Sequence, residues 1–282
     1  MKKIFFTKMQ GLGNDFVVID WEEFQEINIP LDKLAKKMCN RNFGVGADGL
    51  MVVVPNSNVA DLGWIFYNSD GTQAQMCGNG IRCFAKYVLN KGYIDKHEFS
   101  VETAAGIITP KINDDGTVTV NMGTPVQTPK EIPFNGEYNL NYEVEVWSKK
   151  FNLNAISMGN PHCVIFTQED ISTLAKDYGP DIETHELFPE KTNVEFIKIK
   201  SRKEIDLAVW ERGCGITLAC GTGACASVAA GIMNGYLDSS VKVNLPGGAL
   251  NIDWSGTKEN PNKDIFMTGP AEFSFEGVYF YN

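Results

Sequence analysis

The sequence predicts two homologous α+β domains, each a mostly antiparallel sheet wrapped around a central helix, with the active site in the interdomain cleft. Three observations carry that fold class. Short β-type runs alternate with Gly, Pro, Asn and Asp along most of the chain, one helix-like stretch carries no charge, and one motif occurs twice in a collinear setting. The 282 residues hold 25 Lys+Arg against 35 Asp+Glu, a net charge of −10 with a pI near 4.9. That balance excludes binding of nucleic acid through phosphate neutralisation. With 43% hydrophobic and 21% charged residues, the composition is that of an ordinary globular protein, and its length suits about two domains of ~150 residues.

The β-type runs are 50–54, 64–67, 107–112, 117–122, 142–147, 194–200, 205–210, 241–245 and 249–254. Helices are expected at 31–39, where Leu31, Leu34, Ala35 and Met38 share one face, and at 81–90, with Gly92 as C-cap. The stretch 223–234 has no charge on any face and is expected as a helix buried all round. Gly44-Val-Gly-Ala-Asp-Gly49 matches GxGxxG, but it follows a helix and precedes a strand, the reverse of the dinucleotide-binding order, so it reads as a turn.

The N-terminus offers only Ile4, Phe5 and Phe6 as an apolar run before Thr7 and Lys8, too short for a signal-peptide core, and no run approaches the ~18 residues of a membrane helix. Seven cysteines, an odd number, point to free thiols in a reducing cytoplasm.

Self-alignment is the most informative step. Gln75-Met-Cys-Gly-Asn-Gly80 opens one helix and Leu218-Ala-Cys-Gly-Thr-Gly223 opens another. At a constant offset of 143, Cys77 pairs with Cys220, Gly78 with Gly221, Gly80 with Gly223 and Gly92 with Gly235. Asn68 and Glu211 each stand nine residues ahead of their cysteine, and Gly13-Asn14 matches Gly159-Asn160 at an offset of 146. The expected domains are residues 1–122, completed by 269–282, and residues 123–268.

A cysteine at a helix start, with glycines that let N–H groups converge, favours anions through the helix dipole. Such a thiol is expected to have a lowered pKa. Two equivalent thiols flanking one carbon can invert it, one removing a proton from one face and the other delivering one to the opposite face. The charge that develops on an adjacent carboxylate would meet the same helix N-termini. Cys39, Cys83, Cys163 and Cys225 read as small core residues, and Cys214 has no assigned role. The absence of CxxC and HxxxH spacing disfavours zinc, and a thioredoxin-like dithiol would also need CxxC, so no metal is expected.

The polar companions follow. Asn14, Asn68, Asn160 and Asn193 sit at strand or turn ends, where they can surround a zwitterion. Glu211 and Arg212 end an apolar strand and suit an ammonium and a carboxylate. His162, after Asn160-Pro161, suits the tuning of a nearby thiol and a purely structural role equally.

These stretches resemble diaminopimelate epimerases over essentially the full length. The resemblance lies in Gly11-Leu-Gly-Asn-Asp-Phe16, Phe43-Gly-Val-Gly-Ala-Asp48, Asn68-Ser-Asp-Gly71, Met76-Cys-Gly-Asn-Gly-Ile-Arg-Cys83, Gly159-Asn-Pro-His162, Thr192-Asn-Val-Glu195, Glu211-Arg-Gly213 and Leu218-Ala-Cys-Gly-Thr-Gly-Ala-Cys225. It implies a cofactor-independent enzyme interconverting L,L- and meso-diaminopimelate for lysine and peptidoglycan precursor synthesis, usually a homodimer. Cys77 and Cys220 would be the acid/base thiols, and Gly78, Asn79, Gly221 and Thr222 would bind the reacting carboxylate. Asn14, Asn68, Asn160, Asn193, Glu211 and Arg212 would contact the rest of the substrate, with His162 and Glu211 adjusting the thiols. Some members place a glutamine where this chain has Gly49. A proline racemase or hydroxyproline epimerase ranks second: such enzymes typically show histidine where this chain has Asn79, and a ring imino acid leaves Glu211 and Arg212 unmatched.

Overall fold

The computed structural model describes residues 1–281. The elements in chain order are β1 (Lys2–Gly11), β2 (Asn14–Ile19), α1 (Trp21–Ile27), α2 (Leu31–Met38), β3 (Gly49–Val54), β4 (Leu62–Asn68), α3 (Gly78–Asn90), β5 (Val101–Thr103), β6 (Gly106–Ile108), β7 (Lys111–Ile112) and β8 (Val118–Asn121). They continue with β9 (Tyr142–Val146), β10 (Lys149–Ser157), β11 (Pro161–Phe166), α4 (Ile171–Glu183), β12 (Asn193–Ser201), β13 (Glu204–Glu211), β14 (Gly215–Ile216), α5 (Gly221–Met233), β15 (Ser240–Leu245), β16 (Gly248–Trp254), β17 (Ile265–Gly269) and β18 (Glu272–Tyr281). Among the described residues no helix is long and apolar enough to cross a membrane.

The chain forms two compact units, residues 1–120 with 269–282, and residues 121–268. The first holds a seven-stranded sheet in the order β18-β1-β2-β3-β4-β5-β6, in which β2/β3 and β4/β5 are parallel and the other neighbours antiparallel. Helix α3 packs on β1, β2, β3 and β7, with Ile81, Phe84, Ala85 and Val88 buried. Arg82, fully buried on the same helix, donates from Nε to the Pro270 carbonyl at 3.1 Å and so ties α3 to the segment leading into β18.

The second unit runs β17-β16-β15-β13-β12-β11-β10-β9, with β11/β12 and β13/β15 parallel. Helix α5 packs on β10, β11, β12 and β16, while α4 lies against β12 and β13. Eleven of the thirteen residues of α5 are buried, as a helix with no charged face requires. Cys225 is among them, and Cys39, Cys83 and Cys163 are likewise buried. The second core also gathers Phe134, Phe151, Phe188 and Phe196 between sheet and α4.

Helix α1 and strands β1, β2, β10 and β11 lie outside the runs marked from sequence, and two further departures have a local cause. The run expected at 107–112 is two strands, β6 and β7, because Pro110 supplies no N–H to a ladder. Helix α4 was hidden by Gly179 and Pro180, both inside it; Asp170 starts it by accepting from the Thr173 N–H at 2.7 Å.

Burial pushes the Cys39 and Cys83 thiols up to about 12. A cysteine in the unfolded chain titrates near ~8.5. The folded form keeps protons that the unfolded form releases, so these thiols favour folding below ~8.5 and that contribution is lost as pH rises toward 12. Guanidinium midpoints of the reduced protein should fall between pH 8 and pH 10.5, about, and Cys83→Ala should flatten that slope.

Candidate active site

Cys77 and Cys220 occupy the same local geometry, one in each unit. Each is the N-cap of its helix, with extended backbone (φ −144° and −127°), and each Sγ accepts the N–H three residues on, from Gly80 at 3.4 Å and from Gly223 at 3.3 Å. The first N–H groups of a helix lack intrahelical acceptors, so Gly78 and Asn79 in one unit, and Gly221 and Thr222 in the other, present donors beside a sulfur. The glycines are dictated by space. A Cβ at Gly80 would stand 2.9 Å from the Met51 methyl, and one at Gly223 would stand 2.6 Å from Glu195 Oε1 and 3.2 Å from Cys220 Sγ.

In the first unit Asn14 opens β2 after the left-handed Gly13 (φ 85°). Its Oδ1 faces Cys77 Sγ at 3.6 Å and accepts from Asn79 Nδ2 at 3.2 Å, while its Nδ2 donates to Asp48 at 2.6 Å. The amide is therefore held with its oxygen toward the thiol. Asp48 belongs to a charged group with Arg41 (2.7 Å) and, through Arg41, Asp15 (2.8 Å), which Lys8 also pairs at 2.7 Å. The Arg41 and Lys8 cations hold the Asp15 carboxyl below the usual range, against the opposing effect of its burial. Asn79 Oδ1 is buried with no partner among the described residues, an acceptor available to a substrate donor. Asn68 ends β4, and its Nδ2 rests on the Thr72 hydroxyl at 3.0 Å.

In the second unit Asn160 follows Gly159 (φ 90°), and its Oδ1 lies 3.1 Å from His162 Nε2. His162 Nδ1 is 2.7 Å from Glu195 Oε1, and both side chains are fully buried. Asn193 spends its amide internally, donating to the Pro161 carbonyl at 2.9 Å and accepting the Arg212 N–H at 2.9 Å, so it pins the Arg212 turn to the start of β11. The Arg212 guanidinium is exposed and donates to the Glu190 carbonyl at 3.0 Å. Glu211 accepts from the Thr217 hydroxyl, and Thr222 Oγ1 is 3.5 Å from Cys220 Sγ.

One expectation is corrected. The helix start was expected to lower both thiols, but burial, reinforced by the Glu211 and Glu195 carboxylates, raises Cys220 well above the ordinary thiol range. The Thr222 and Gly223 hydrogen bonds oppose that shift without overcoming it. Cys220 thus rests as a thiol. At position 49 no side chain fits: a Cβ there would lie 2.3 Å from the Phe66 ring and 3.0 Å from the Tyr67 carbonyl oxygen. Among the described residues no group of three or more His, Cys, Asp or Glu converges as metal ligands would.

A family model described as diaminopimelate epimerase matches residues 6–128 and 154–274. The chain belongs to the diaminopimelate epimerase family. The diaminopimelate epimerase of Carboxydothermus hydrogenoformans is 50% identical over 277 residues, covering 98% of this chain and 99% of that one. That of Halothermothrix orenii is 48% identical over 281 residues, covering 96% of each. The fold is shared more widely: a hydroxyproline epimerase from Agrobacterium vitis superposes with a TM-score of 0.69 at 14% identity, covering 98% of this chain and 92% of that chain.

Within this diaminopimelate epimerase family member, three residues bonded to the candidate site residues were not singled out from sequence: Asp48 on Asn14, Glu195 on His162 and Thr217 on Glu211. Glu195 had a readable signal, a lone charge within the apolar run Val194-Glu-Phe-Ile197. Asp48 and Thr217 sit in irregular segments, Asp48 bonded to an asparagine 34 residues away and Thr217 to Glu211 six residues away, and no local pattern marks them. Gly223→Ala should drive a methyl into the Glu195 carboxylate. Such overpacking costs about 1–3 kcal/mol, read as a lower denaturation midpoint, with epimerase activity falling alongside.

Proposed function

We infer that this protein is a diaminopimelate epimerase, interconverting L,L- and meso-diaminopimelate at one α-carbon without a cofactor, in lysine and peptidoglycan precursor synthesis. The observation that carries the reading is the matched pair of cysteine N-caps, one per unit, each sulfur seated on the N–H groups of a buried helix. In the proposed reaction a thiolate takes the α-proton and becomes a thiol, the electron pair is left on the carbon and its carboxylate, and the second thiol gives its proton to the opposite face. The turnover ends with the protonation states of the two sulfurs exchanged. The reading requires Cys77 and Cys220 to address opposite faces of the same carbon in the substrate complex.

The N–H groups of Gly78, Asn79, Gly221 and Thr222 would hold the α-carboxylate, where negative charge grows in the transition state. Glu211 would receive an ammonium, which also removes the repulsion that keeps Cys220 protonated. Arg212 would turn from the Glu190 carbonyl to the distal carboxylate, and Asn14, Asn68, Asn160 and Asn193 would orient the amino groups directly or through the backbone. His162 and Glu211 would adjust the thiols, Glu211 by its charge and His162 by way of Glu195.

Reduced enzyme incubated with L,L-diaminopimelate in D2O should place deuterium in newly formed meso product early, with little in the recovered starting isomer. Early label in the starting isomer without inversion would overturn the two-thiol reading. Cys77→Ala and Cys220→Ala should each lower kcat by about 10²- to 10⁴-fold or more, with circular dichroism unchanged.

We further propose a cytoplasmic homodimer. Its support is the apolar face of edge strand β18 and its neighbour β1, where Phe5, Val278 and Phe280 are exposed in adjacent register. Sedimentation should give the dimer mass, and Val278→Arg with Phe280→Glu should shift it to the monomer.

A further inference from the structure

Glu195 stands in mid-strand on β12 between buried apolar residues and is itself fully buried. Its Oε1 is 2.7 Å from His162 Nδ1, yet its Oε2 has no hydrogen-bond partner among the described residues. A buried carboxylate with one oxygen unspent is costly to keep. The first unit builds the matching frame without a carboxylate. The parallel pair β11/β12 places His162 opposite Asn193, two residues before Glu195; β2/β3 places Phe16 opposite Gly49, two residues before Met51. Where the second unit holds His162 and Glu195, the first holds Phe16 and Met51, both buried.

The carboxylate also reaches the reacting sulfur. The single space left by the missing Cβ of Gly223 is bordered by Glu195 Oε1 and Cys220 Sγ, whereas the matching space at Gly80 is bordered by the Met51 methyl at 2.9 Å and Cys77 Cβ at 3.3 Å. We propose that Glu195 is a positioning residue for the second thiol: it fixes His162 through Nδ1, and with it Asn160, and it sets beside Cys220 a negative charge that the matching position of the first unit lacks. The two halves then share a frame but hold unequal thiols. Cys220 keeps its proton at rest and releases it when a cationic group of the substrate offsets the carboxylates.

The groups that bear on Cys220 come from each element around it. Glu195 of β12 and Glu211 of β13 hold the proton on, His162 of β11 acts through Glu195, and the Thr222 hydroxyl and Gly223 N–H of α5 favour the thiolate. The charged residues of β10 and β16, Lys149, Lys150 and Asp253, occupy partly or fully exposed positions.

The meaning of that proton rests on the epimerase reading, so the deciding readout is taken without turnover and the kinetics are measured beside it. Glu195→Gln preserves shape and removes charge, and Glu195→Met copies Met51. In the reduced full-length protein, the rate of alkylation of each cysteine by iodoacetamide is followed against pH by peptide mass spectrometry. Both variants should move the Cys220 midpoint to lower pH, by about one unit or more, and leave the Cys77 midpoint in place; kcat should fall more than KM rises. An unmoved Cys220 midpoint overturns the proposal, as does an equal shift at both thiols. Equal exposure of all the buried thiols in both variants would make Glu195 a folding residue and overturns it as well. A failure of the deuterium experiment with the Cys220 shift intact would reject the reaction and not the role of Glu195.

Discussion

Everything in this molecule turns on the N–H groups that a helix leaves without partners at its start. In most helices a hydroxyl or carboxylate meets them. Here a sulfur does, at Cys77 and at Cys220, and the glycines that follow leave the remaining donors clear of Cβ atoms. Because both helices are buried on nearly every side, those donors have few alternatives: they serve the sulfur, or an anion brought beside it. The surrounding sheets hold each helix start in place.

The two units use this common device with different supports. Around Cys77 the amide of Asn14 is oriented by Asp48, whose charge is itself tied to Arg41 on a partly exposed surface. Around Cys220 the corresponding asparagine is reached through a buried imidazole and a buried carboxylate. A charge near solvent is screened by water and by its ion pair, whereas a buried one acts at close range in a poorly polarisable medium. The two frames match, but their side chains differ at three register positions, 16/162, 49/193 and 51/195, and the proposed role of Glu195 makes their thiols unequal.

That inequality suits a reaction that must run both ways. A base and an acid are needed at every turnover, and two thiols titrating together would populate the wrong states, both protonated or both ionised, over much of the pH range. Glu211, which ends β13 at the position where Asn68 ends β4, adds to the same bias and accepts a hydrogen bond from Thr217.

Much of this was legible in the sequence. The repeat of CGxG at one offset revealed the doubled architecture and both thiols, because helix starts obey local rules: a cap, permissive glycines, an apolar face beyond. The uncharged stretch of α5 announced its burial for the same local reason. Helix α4 was not legible, since Gly179 and Pro180 read as breakers until packing against β12 and β13 outweighed them. Nor was the raised thiol of Cys220. Of its causes, Glu211 was marked by its spacing from Cys220, but burial and the Glu195 carboxylate come from the packing of β12 against α5, which leaves no trace in chain spacing. Sequence alone determined which groups could react; the tertiary structure decided their protonation, because electrostatic energy depends on distance and on the medium between charges, and folding sets both.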